Sequence, residues 1–245
     1  MLEICCGSYE DALAAYGGGA RQIELNSALA LGGLTPSLAS LTLTKRHTDL
    51  KVICMVRPRG GGFCYSEKEF ELMMADCKLL LEQGADGIAF GFLNEDLTLH
   101  TTRTQKMIRL IHQYGKEAVF HRAIDVVENY ESTIELLVKL NIDRILTSGQ
   151  QDKAPQAAEQ LASVQERFGG QVAFIMGSGV NAGNANELMQ TTGITNIHSS
   201  CKDWRIDPTT ENHGVSYAYT DNPSPLAYDV VSMEKVRELV RVVTK

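Results

Sequence analysis

Gln83-Gly84-Ala85-Asp86-Gly87-Ile88 is a hand-over from a helix to a strand: a glycine that can take positive φ ends one element and an apolar run opens the next. Related phrases occur at Gly18-Gly19-Ala20-Arg21-Gln22-Ile23, Asn141-Ile142-Asp143-Arg144-Ile145 and Thr192-Gly193-Ile194-Thr195-Asn196-Ile197. Outward from them, short apolar runs alternate with amphipathic stretches whose apolar residues recur at helical spacing, as in Glu67–Gln83, Arg103–Tyr114 and Ala157–Phe168. Eight strands are expected, at Leu2–Cys5, Gln22–Leu25, Val52–Val56, Gly87–Phe90, Ala118–His121, Arg144–Leu146, Val172–Met176 and Asn196–His198. Eight βα units in 245 residues predict a closed (β/α)8 TIM barrel spanning 1–245 as one domain, ahead of an open doubly wound sheet. The rhythm breaks only at 201–232, which carries Pro208, Pro223 and Pro225. This segment is expected as an extended loop over the barrel mouth or an oligomer contact, before a last helix over 233–243.

Composition narrows the function classes. The net charge of −7 argues against a nucleic-acid partner, which usually calls for a basic face. No apolar run approaches the roughly 20 residues of a membrane span, and the N-terminus lacks the pattern of a signal peptide. A cytoplasmic, reducing location is therefore expected, with the six cysteines as free thiols. No cysteine or histidine spacing matches a structural zinc site.

Strand alternation predicts what faces the barrel interior. Leu2 and Ile4 suit the helix layer, so Glu3 and Cys5 point inward; Ile23 and Leu25 leave Gln22, Glu24 and Asn26 inward. Glu3, Glu24, Arg57, His121 and His198 then converge on one interior. Buried charges must pair or titrate, so a salt-bridged plug and an acid/base or anion-binding cluster both fit. Chemistry in this fold sits at the strand C-terminal ends, which makes Arg57, His121 and Asp125 catalytic candidates beside Glu3 and Glu24.

Barrels often bind phosphate between the loops after strands seven and eight. Gly177, Ser178 and Gly179 stand in the first of these and His198, Ser199 and Ser200 in the second, with Ser148 after strand six and Arg122 after strand five extending the rim. Arg57-Pro58-Arg59-Gly60-Gly61-Gly62-Phe63-Cys64-Tyr65-Ser66 adds two arginines able to clamp a carboxylate or phosphate, on a glycine run that moves or lies close to a ligand. The plainer alternative is a solvated turn closing on Ser66 as a helix cap.

Leu2-Glu3-Ile4-Cys5, Gly33-Leu34-Thr35-Pro36-Ser37, Arg57-Pro58-Arg59-Gly60-Gly61, Phe63-Cys64-Tyr65-Ser66, Phe120-His121-Arg122-Ala123, Leu146-Thr147-Ser148-Gly149 and His198-Ser199-Ser200 together resemble the CutC family, in order from the first strand to the eighth. The resemblance implies a (β/α)8 barrel, a cytoplasmic location and a role in copper homeostasis, with Cu(I) bound through cysteines. The family cysteine on the first strand matches Cys5. Where family members can carry a second, at the end of strand two, this chain has Asn26, which cannot replace a thiolate for Cu(I). Cys64 and Cys201 are the alternative thiols for the same rim.

Three functions stay open on these residues: a copper handler using Cys5 with Cys64 or Cys201; an enzyme acting on a small anionic, phosphorylated metabolite; and a non-catalytic scaffold associating through 201–232. A homo-oligomer is compatible with each.

Overall fold

The structure, a computed structural model, describes residues 1–243. Eight parallel strands close into a barrel in sequence order: β1 (Leu2–Cys6), β2 (Gln22–Leu25), β3 (Lys51–Met55), β4 (Gly87–Phe90), β5 (Glu117–Phe120), β6 (Arg144–Thr147), β7 (Ala173–Met176) and β8 (Ile197–Ser199). Closure is made by β1 against β8, with Leu2 opposite Ile197 and Glu3 opposite His198. The outer ring is α1 (Tyr9–Gly17), α2 (Leu38–His47), α3 (Glu67–Glu82), α4 (Thr101–Gln113), α5 (Tyr130–Lys139), α6 (Ala158–Phe168), α7 (Ala185–Thr192) and α8 (Met233–Val243). Among the described residues no helix is long and apolar enough to cross a membrane.

Local chemistry explains the element ends. Ser66 caps α3 by accepting from the Glu69 N–H at 3.2 Å, while Glu69 accepts from the Ser66 N–H at 2.7 Å, a reciprocal capping box. The aspartates of the repeated hand-over phrase brace strands at the barrel's N-terminal face. Asp86 accepts from the Val52 N–H at 2.9 Å, and Asp143 accepts from the Ala118 N–H at 2.8 Å.

The barrel interior is divided. On one side Ile53, Met55, Ala89, Val119, Leu146 and Ile175 form a buried apolar cluster. On the other, Glu3, Gln22, Glu24, Arg144 and His198 are buried and polar. The ordinary core, between strands and helices, holds the alternate residues of the same strands, such as Ile4, Ile23 and Val52. A polar sector inside a barrel is costly unless its groups are paired, so these side chains must find partners within the barrel.

The segment expected as an extended loop is instead ordered as an antiparallel ribbon. Strands β9 (Lys202–Ile206) and β12 (Ala227–Val231) pair along their length, and a small hairpin of β10 (Glu211–Asn212) and β11 (Val215–Ser216) lies between them. The ribbon is inserted between β8 and α8, at the end of the barrel where the strands terminate. It is moored to α1: the Val231 N–H donates to Asp11 at 2.8 Å, and Arg205 pairs with Glu10. The last helix follows over the expected residues.

Candidate functional site

The strand C-terminal ends and the loops that leave them enclose a cavity of about 740 Å³. Its walls differ from side to side. Cys5 of β1, Glu24 of β2 and His198 of β8 form one wall, and Arg57 and His121, just beyond β3 and β5, form the other. Met55 and Leu146, from the apolar half of the interior, also line it.

On the first wall, one ligand-type atom from each of Cys5, Glu24 and His198 lies within 4.8 Å of the others. The register explains it: Cys5 pairs with Glu24 across β1–β2, and His198 pairs with Glu3 across β1–β8, one inward position below Cys5. His198 Nδ1 is 2.9 Å from Glu3 Oε1, which turns its Nε2 toward Glu24 Oε2, 4.0 Å away. Glu3 is held in turn by Gln22 and by Arg144 at 3.6 Å, and Arg144 also pairs with Glu117. Asn26 donates to Glu24 Oε2 at 2.9 Å and to the Cys5 sulfur at 3.6 Å.

These contacts set the charges. Burial pushes the Glu3 carboxyl up, but its hydrogen bond to His198 and the charges of His198 and Arg144 outweigh it and leave it below its ordinary value. Burial raises the Glu24 carboxyl, and the neighbouring Glu3 charge adds to the rise. Burial raises the Cys5 thiol, with interaction with His198 opposing only in part. For His198 burial favours the neutral ring, yet Cys5, Glu3 and Glu24 together push its pKa well up.

On the second wall, Arg57 is buried and donates through Nη1 to the carbonyls of Leu31 at 2.8 Å and Gly33 at 3.0 Å, and through Nη2 to that of Gly61. His121 Nδ1 accepts from the Ala123 N–H at 3.1 Å. Burial and the charge of Arg57 bring its pKa down to about 3, so the ring is neutral. Phe63, carried by the glycine run, lies against both: its ring centroid is 5.2 Å from the Arg57 guanidinium and 4.9 Å from the His121 ring.

The remaining sequence candidates divide by what already occupies them. Arg122, Ser178, Gly179, Ser199, Ser200 and Cys201 line the cavity. The Ser178 hydroxyl donates to the Asp152 carbonyl at 2.7 Å and that of Ser199 to the Val180 carbonyl at 2.7 Å, so neither hydrogen is left for a ligand. Gly177 packs under the loop, where a Cβ would lie 2.9 Å from Leu146.

Asp125, expected as an acid/base group, is instead a clamp. It takes the Arg122 Nε–H at 2.9 Å, the Thr147 hydroxyl at 2.6 Å and the Ser148 N–H and hydroxyl at 3.1 and 2.9 Å. Ser148 is spent in the same network, outside the cavity lining. Arg59, expected to hold an anion, pairs with Glu69, donates to the Cys64 carbonyl at 2.9 Å and stays off the cavity wall. Cys64 is exposed and away from the cavity, and Cys201 lines it without joining the Cys5 cluster. Sequence reasoning missed Arg144 as the partner of Glu3 and missed Lys202, Lys235 and Glu238 at the mouth. The inward phase of β6 was the available signal for Arg144; the others enter only because the ribbon and α8 fold back.

Comparison with known proteins places this architecture. The CutC family model matches residues 1–203, ending at the start of the ribbon. A CutC family protein of Treponema denticola is 39% identical over 241 residues, covering 98% of this chain and 97% of that one. One from Xylella fastidiosa is 34% identical over 248 residues, covering 100% of this chain and 89% of that one. The crystal structure of a candidate copper homeostasis protein CutC from Streptococcus agalactiae superposes with a TM-score of 0.77 at 26% identity, over 82% of this chain and 98% of that one. The 3-hexulose-6-phosphate synthase of Salmonella typhimurium, at 14% identity and a TM-score of 0.62 over 99% of this chain and 98% of that one, shares the barrel fold alone. The chain belongs to the CutC family.

Proposed function

We propose that this chain handles copper as cargo, holding Cu(I) through the Cys5 thiolate and His198 Nε2. The observation that carries the proposal is the meeting of Cys5, Glu24 and His198 within 4.8 Å on a cavity wall. Cu(I) is a soft ion suited to thiolate and imidazole, while a carboxylate is a harder donor. Glu24 Oε2 lies 3.8 Å from the Cys5 sulfur, close enough to relay the thiol proton to solvent in the cavity as the metal enters. Glu3 fixes the ring from its other nitrogen, the carboxylate–histidine arrangement that orients metal-bound imidazoles.

Asn26 offers the sulfur an N–H at 3.6 Å in place of a second thiol. One thiolate in the set suits an ion that is passed on. The proposal requires a reducing compartment, in keeping with a cytoplasmic location and with the six free cysteines among the described residues.

The test is Cu(I) competition against a calibrated chelator with reduced protein, beside Cys5→Ser and His198→Ala. Stoichiometric binding, lost in the first variant and weakened in the second, is expected. Affinity unchanged in Cys5→Ser overturns the proposal.

A further inference from the structure

We propose that the Arg57–His121 wall is a binding site for a small monocarboxylate with an apolar body. Two donors there are unspent. Arg57 Nε and His121 Nε2 are each buried without a hydrogen-bond partner among the described residues. Leaving a buried donor unpaired is costly, so two in contact with one phenylalanine mark a place built for an acceptor. Because His121 Nδ1 accepts from the Ala123 N–H, its proton sits on Nε2 and the ring donates from that atom.

The charge balance selects the headgroup. Arg122 is paired with Asp125 at 2.9 Å, Lys235 with Asp203 at 3.4 Å and Lys202 with Asp229 at 4.0 Å. Arg57 donates through Nη1 and Nη2 to carbonyls and interacts with the Tyr65 hydroxyl, and among the described residues it forms no ion pair with a carboxylate. With His121 neutral, this wall offers one uncompensated positive charge, which matches a carboxylate and underfills the demand of a phosphoryl dianion. The usual phosphate position in a barrel is also poor in donors here, since the Ser178 and Ser199 hydroxyls are spent on carbonyls.

The body follows from the rest of the wall. Phe63 lies against both donors, and Met55, Leu146 and Val180 line the same cavity and give an apolar seat. Phe63 stands over both donors at the end of the glycine run, so the headgroup reaches them only with a shift of that ring. The inference goes beyond the copper proposal and does not rest on it.

The test is calorimetric titration of copper-free protein with hexanoate and with inorganic phosphate at matched ionic strength, repeated on His121→Phe. Hexanoate is expected to bind saturably, at least tenfold tighter than phosphate, and at least tenfold weaker in the variant. No saturable hexanoate binding, phosphate binding as tight as hexanoate, or unchanged hexanoate affinity in His121→Phe each overturns the proposal. If the variant does not fold, the comparison of the two anions on the unmodified protein decides alone. Copper is absent throughout, so failure here leaves the Cys5 site untouched.

Discussion

Glu3 and His198, 195 residues apart, meet at 2.9 Å where the first and last barrel strands close the ring. The pair joins closure of the fold to the aim of a proposed copper ligand. Glu3→Gln keeps the size of the side chain and removes the charge that holds the imidazole. It should lower Cu(I) affinity about tenfold to a hundredfold, the usual loss when such a partner is removed. It should also cost about 1–3 kcal/mol in urea unfolding, because Arg144 and His198 lose a buried anion. Chelator competition and denaturation on the same preparation separate the two effects.

Copper binding should strengthen as pH rises. The thiol of Cys5 and the imidazole of His198 both have raised pKa values in the metal-free protein, so each gives up a proton as Cu(I) enters. The apparent affinity is expected to climb by about one decade per pH unit for each proton released. Titration between about pH 6 and about pH 9 reads the slope. A flat profile would mean that neither group is a ligand.

Gly33 lies with φ +85°, and a Cβ there would stand 2.5 Å from Asn26 Oδ1. Gly33→Ala must therefore strain the backbone and push Asn26 off Glu24 and Cys5. A destabilisation of about 1–3 kcal/mol is expected, with weaker Cu(I) binding from the disturbed wall. Thermal unfolding checks the first effect; an unchanged midpoint would show that the loop relaxes freely.

Asp86 should make part of the barrel's stability depend on pH in the acid range. Burial alone would raise its pKa, but the Lys45 ammonium at 2.7 Å, the Val52 N–H and Lys116 outweigh burial and lower it. A lowered carboxyl contributes stability that is present above the ordinary value of 3.8 and lost as pH falls through the lower folded value. Asp86→Asn should cost about 1–3 kcal/mol at neutral pH. The gap from the unmodified protein should close below that window, as urea unfolding at several pH values would read.

Much of the fold is legible in local patterns. Helical spacing, glycine at hand-over points and strand alternation need only neighbouring residues, and they placed eight strands close to where the structure has them. The same alternation turned Glu3, Cys5, Glu24 and Asn26 inward, because Leu2, Ile4, Ile23 and Leu25 belong to the helix layer. The ribbon escaped because β9 is exposed over much of its length, β12 is buried only at its two ends, and the two pair across a long excursion without the apolar period that marks a buried strand.

The site was legible as a set of inward residues and not as a set of partners. Asp125, Arg59, Ser148, Ser178 and Ser199 have the right chemistry for a ligand, and the structure spends their donors and acceptors on loop carbonyls, backbone N–H groups and one another. Arg57 and His121 keep a buried donor each. Sequence by itself determined the barrel, the inward face of each early strand and the family, since these depend on short-range period and on ordered motifs. Tertiary structure alone decided that Cys5 meets Glu24 and His198, that Arg144 backs Glu3, and that Arg57 has no carboxylate partner among the described residues. Those outcomes depend on register, strand tilt and ring closure, which bring residues from opposite ends of the chain within hydrogen-bond reach.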